Sequence, residues 1–89
     1  MSDESDTLFE FPCDFPIKVM GADEDALALA LRAALRRHAP ECADNDFVLR
    51  SSSKGRYVAI TVTIRANSKA QLDAIYQMLT DADAVLVAL

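Results

Sequence analysis

The chain has 89 residues, with 14 acidic and 9 basic side chains, a net charge of −5 and 52% apolar residues. Such a length excludes most multi-domain enzymes, and a fold this small buries only about 60% of the surface its unfolded chain exposes. The apolar content is too high, and the net charge too modest, for a wholly disordered chain.

Residues 1–7 hold three acids, two serines and no large apolar side chain beyond the first methionine, and read as an acidic flexible tail. From Leu8 the composition changes. Phe9, Phe11 and Phe15, three of the four phenylalanines, crowd around Pro12 and Pro16. So apolar a stretch is expected to dock residues 8–11 on the body, and its prolines are expected to keep it out of any helix or central strand. Ile17 and Val19 then predict a short strand ending at Gly21.

Asp23, Glu24 and Asp25 open an alanine- and leucine-rich segment that closes with Arg36, Arg37, His38 and Pro40. Acids at the positive end of the helix dipole, bases at the negative end and a proline stop predict a helix. Leu27, Ala30, Leu31, Ala34, Leu35 and His38 share its apolar stripe, while Ala26, Leu29 and Ala33 lie off it and leave one leucine facing outward. His38, the only histidine, has no cysteine or acid at ligand or triad spacing and reads as a partly buried cap.

Residues 41–46 are polar, and Phe47 starts a second strand. Across residues 56–66, Val58, Ile60, Val62 and Ile64 alternate with Ala59, Thr61, Thr63 and Arg65, the period of a sheet with one buried face. Gly55 between these strands suits a hairpin loop that needs positive φ. Ser68 and Gln71 form a capping box, followed by Leu72, Ile75, Tyr76 and Leu79 at helical spacing. Residues 85–89 read as a last strand.

The order β-α-β-β-α-β predicts an α+β, ferredoxin-like sandwich: a four-stranded antiparallel sheet, two helices on one face, and the first and third strands in the centre. Residues 8–89 are expected to form this one domain.

That fold hosts many activities, so the side chains must decide. The loop after the first strand, residues 21–25, offers three carboxylates and no base, against an acylphosphatase-type phosphate site. The third strand offers only Tyr57 and then Ala59, Thr61 and Thr63 for base stacking, which argues against nucleic acid. No cysteine pair or metal-ligand spacing occurs, so neither a metal nor a cofactor is expected. Lacking a secretion signal or an apolar run near the ~20 residues of a membrane helix, the chain is expected to be cytoplasmic, with Cys13 and Cys42 reduced.

Charge is unevenly placed. Residues 1–25 carry eight acids and one base, whereas residues 47–69 carry five bases and no acid. Arg50, Ser52, Ser53, Lys54, Gly55, Arg56 and Tyr57 flank the predicted hairpin. Bases, hydroxyls and loop amides together suit a carboxylate or phosphate, so this is the candidate binding surface for an acidic protein or a small anion. Solvated charges that guard an edge strand would look the same.

Three stretches carry a resemblance: Glu10-Phe11-Pro12-Cys13-Asp14-Phe15-Pro16-Ile17-Lys18-Val19-Met20-Gly21, then His38-Ala39-Pro40, then Ser52-Ser53-Lys54-Gly55-Arg56-Tyr57. Together they resemble the YbeD-like family of small, uncharacterised bacterial proteins, over residues 8–89. The resemblance implies an ACT-like regulatory fold, a link by name to lipoate metabolism, and no catalytic residues. In ACT-type domains a small ligand sits near the first strand–helix turn, which here places Gly21 as a possible ligand turn, although residues 22–25 are acidic. The leading expectation is therefore a non-enzymatic regulatory or protein-binding module. The alternative is a small enzyme, or enzyme subunit, handling an acidic or acyl substrate at the basic hairpin. A homodimer is left open.

Overall fold

The structure, a computed structural model, describes residues 10–52 and 54–89. The elements are β1 (Cys13–Gly21), α1 (Glu24–His38), a short 3-10 turn (Pro40–Cys42), β2 (Val48–Ser51), β3 (Val58–Ala66), α2 (Lys69–Asp81) and β4 (Val87–Ala88). They form the expected α+β arrangement. Every pairing in the sheet is antiparallel, and the strand order is β2-β3-β1-β4.

The two nine-residue strands β1 and β3 pair along their whole length, from Cys13 opposite Ala66 to Gly21 opposite Val58. Alternation then sorts the side chains. Ile17, Val19, Val58, Ile60, Val62, Ile64 and Ala66 point inward and are buried with Leu27, Leu31, Ala34 and Leu35 of α1 and Leu72, Ile75 and Leu79 of α2. The intervening residues leave the other sheet face uncovered. Phe11, Cys13 and Phe15 extend the inner row and are half-buried against the core. The expected docking of Leu8 and Phe9, and the tail at residues 1–7, lie outside the described residues.

The helix ends follow the sequence. Asp23 caps α1 by accepting from the Ala26 N–H at 3.1 Å, and Ser68 caps α2 by accepting from the Gln71 N–H at 3.1 Å. Gln71 reaches past the cap to the residue before it, instead of closing the expected box on the Ser68 N–H. Its Oε1 accepts from the Asn67 N–H, and its Nε2 donates to the His38 carbonyl, tying the start of α2 to the end of α1. His38 itself is half-buried.

Three expectations need correction. The first strand is not short, and Pro16 lies inside a central strand. The reason is the reach of β4, which pairs with Val19 and Met20 and exchanges its last backbone bonds between Lys18 and Leu89. The Lys18 N–H points toward β4, so by alternation the proline nitrogen two residues earlier points the same way, past the end of that pairing. Its missing N–H therefore forfeits no ladder bond, because β1 is central at one end and an edge at the other.

The last strand, second, is only Val87–Ala88 rather than residues 85–89. Third, the connection after α1 is not merely polar. Cys42 and Ala43 are buried, and the loop covers the part of β3 that the four-residue β2 cannot reach. Asn45 Nδ2 donates to the Thr63 carbonyl at 2.9 Å, and the Arg65 N–H donates to Cys42 Sγ at 3.5 Å. Arg32 fixes this loop to α1 by donating to the Ala43 carbonyl while its guanidinium lies 4.0 Å over the Phe47 ring. Both cysteines are free thiols.

At the far end of β1, Gly21 is buried against the carbonyl of Ala84. A Cβ there would sit 2.3 Å from that oxygen and 3.1 Å from Leu27 Cδ1. The turn into α1 thus passes under the approach to β4, and only glycine fits. On the other side of the core, Tyr76 of α2 meets the Phe15 ring edge-on and donates to the Leu89 carbonyl at 2.7 Å.

These contacts set three expected outcomes. Ile60→Ala should lower unfolding free energy by roughly 2–5 kcal/mol in denaturant titration, since it empties the centre of the inner face. Gly21→Ala should cost about 1–3 kcal/mol, because the obstacle is backbone and cannot rotate away. Burial raises the Tyr76 pKa above its ordinary value of 10.0. Below pH 10 both folded and unfolded chains keep that proton. As pH rises past 10 the unfolded chain releases it first, so stability falls until the folded pKa is also passed. A Tyr57→Phe chain, with Tyr76 as its one remaining tyrosine, should form phenolate above pH 10, and Tyr76→Phe should remove that part of the alkaline loss.

Candidate functional site

The hairpin between β2 and β3 is organised by one side chain. Ser52 Oγ accepts from the N–H groups of Arg56 at 3.1 Å and Tyr57 at 3.2 Å. The Ser52 carbonyl accepts from the Gly55 N–H at 2.9 Å, and the Ser52 N–H donates to the Tyr57 carbonyl at 2.8 Å. Gly55 takes φ +68°, the left-handed conformation that its position in the turn demands. Ser52 thus spends its oxygen on the loop and shapes the surface from within. Ser53 lies outside the described residues.

Arg50, Lys54, Arg56 and Tyr57 are all exposed. Arg50 stands opposite Ala59, which stands opposite Met20, which pairs with Val87, so these four form one row across the uncovered face. In the next row Val48 stands opposite Thr61, and Thr61 opposite Lys18. The register therefore brings an exposed lysine, which the sequence reading left out, onto the same face as the hairpin arginine. Val48 is 59% and Val87 43% exposed, so the face mixes apolar surface with positive charge. Among the described residues none of Lys18, Arg50, Lys54 and Arg56 makes an ion pair.

Further along, Arg65 and Asp14 are paired at 3.2 Å, and both remain well exposed. A pair so open to solvent contributes little stability. Next to it the loop rim of Asp44, Asn45 and Asp46 forms a shallow concavity of about 490 Å³ with Val48, Thr61 and Thr63. No cluster of three or more metal-ligating side chains is found among the described residues.

Gly21 is brought to the hairpin end of the sheet, opposite Val58 at the start of β3. The group that approaches it closely is the chain's own Ala84 carbonyl. The structure places Gly21 in the interior and the basic residues outside.

Neither the sulfur of Cys42 nor the amide of Asn45 was assigned a role from sequence. Each stands in a stretch with no hydrophobic period, and only the short reach of β2 shows what they cap. Lys18 carried a readable signal, because its parity within the first strand differs from that of Ile17 and Val19.

A family model described as "Protein of unknown function (DUF493)" matches residues 6–89. The chain is similar to a UPF0250 protein of Chromobacterium violaceum, 52% identical over 80 residues that cover 90% of each chain. It is 44% identical to a UPF0250 protein of Paraburkholderia phytofirmans over the full length of both. The solution structure of protein HP0495 from H. pylori is similar in fold, with a TM-score of 0.71 at 18% identity, covering 91% of this chain and 85% of that one. By the extent of the family match and by these identities, the chain belongs to the DUF493, or UPF0250, family of bacterial proteins of unknown function.

Proposed function

We propose that this protein is a non-enzymatic, regulatory binding module whose contact surface is the uncovered sheet face continued into the β2–β3 hairpin, and that it recognises an acidic surface on another protein. The observation that carries the reading is the placement of Lys18 and Arg50 on that face of an acidic chain, with Lys54 and Arg56 exposed on the adjoining hairpin and no ion pair to any of the four among the described residues.

Spacing favours a protein over a small anion. Lys18 and Arg50 lie on strands separated by β3 and in adjacent rows, about 12 Å apart at the backbone, so they present charge over a span rather than at one point. They suit charges spread along a surface, with Val48, Met20 and Val87 supplying apolar contact beside them. Charge of this kind raises encounter rate and sets orientation more than it adds affinity. An enzyme reading needs groups converging in a depression, and the concavity on this face is lined by Asp44 and Asp46 rather than by the hairpin bases. Regulation of lipoate metabolism, implied by the resemblance, is the process in which such a partner is best sought.

The test is capture from bacterial cytosol, followed by kinetics with the captured protein. Neutralising Arg50, Lys54 and Arg56 to glutamine should leave the circular dichroism melt unchanged and slow association roughly tenfold or more at low salt. Wild-type association should weaken as salt shortens the screening length toward about 8 Å at physiological strength. Equal rates and affinities for both proteins across the salt series would overturn the proposal.

A further inference from the structure

The outward face of α1 has a composition that the core does not explain. Leu29 stands there 70% exposed, the most exposed of the large apolar side chains described. Around it Asp25, Ala28, Arg32 and Arg36 line a shallow concavity of about 260 Å³, formed entirely by this helix. At 100° per residue, Asp25, Leu29, Arg32 and Arg36 fall on one stripe, opposite the buried Leu27, Leu31 and Ala34. Charge along the stripe runs from one acid, Asp25, to two bases, Arg32 and Arg36, with about 16 Å between Asp25 and Arg36.

A surface with that pattern is complementary to itself turned end for end. We infer that α1 is a self-association surface, and that its partner is the α1 of a second copy of this chain, packed antiparallel about a two-fold axis near residues 30 and 31. This axis sets Asp25 of each copy opposite Arg36 of the other. It also seats each Leu29 between the other copy's Arg32 and Ala33, the latter small enough to let the helices approach. Antiparallel packing further aligns the opposite ends of the two helix dipoles. Arg32 is already held by the Ala43 carbonyl and Phe47, so its stem forms a fixed wall beside Leu29. The uncovered sheet face carries no such stripe, since its Lys18 and Arg50 lie on different strands.

One helix-on-helix contact is smaller than a standard interface, so the dimer is weak and depends on concentration. Sedimentation equilibrium of the full chain over a concentration series should show reversible dimerisation below about 1 mM. Leu29→Glu should abolish it. Asp25→Lys and Arg36→Glu should each weaken it roughly tenfold or more, since each places like charges across the axis twice. An equimolar mixture of these two variants should restore association, because both cross-axis pairs are then of opposite sign. Melting curves establish that each variant is folded at the measuring temperature. A wild-type chain that stays monomeric throughout, a dimer indifferent to these substitutions, or a mixture no tighter than either variant alone would overturn the inference.

Discussion

The pairing of β1 with β3 is the constraint on which the rest depends. Nine consecutive residues of each strand stand opposite one another, and their inward alternates include the branched aliphatic Ile17, Val19, Val58, Ile60, Val62 and Ile64. Once that register is set, every other outward position is assigned, because shifting one strand by a residue would exchange its two faces. The same ladder that buries Ile60 beside Val19 therefore holds Lys18 on the uncovered face, where the β2–β3 pairing adds Arg50. Core and candidate site are two sides of one pairing.

What was legible in the residues follows the strength of local pattern. The alternation across β3, the charged ends of α1 and the serine cap of α2 were all readable, because each is written within one element. Pro16 was misread for a physical reason. The rule that excludes proline from central strands concerns a hydrogen bond on a particular side, and whether that side is occupied depends on how far β4 reaches. Likewise the basic hairpin was visible as a run, whereas Lys18 joined it only through the register. Asn45 and Cys42 had no readable signal, since side chains that complete a neighbouring strand's edge follow no period.

The two exposed surfaces have different logic. On the sheet side, exposed bases are mixed with apolar residues at one end of the face, beside an acidic rim at Asp44 and Asp46. On the helix side, both signs occur in an order that reverses onto itself. A small domain can present these surfaces together because its core lies between them, so a contact on one layer leaves the other layer open. The minor edges, meanwhile, are closed by side chains and loop rather than by added strands.

The chain order of the strands also bears on how the molecule forms. β2 and β3 are neighbours in sequence, and their turn is pinned by Ser52, so this pair can assemble with little loop-closure cost. The β1–β3 ladder instead joins stretches separated by α1, its following loop and the whole hairpin. On contact-order grounds that closure is the slow event, and the hairpin and helices are the local structure available to guide it. The segment that carries Lys54 and Arg56 thus also belongs to the most local pairing of the sheet.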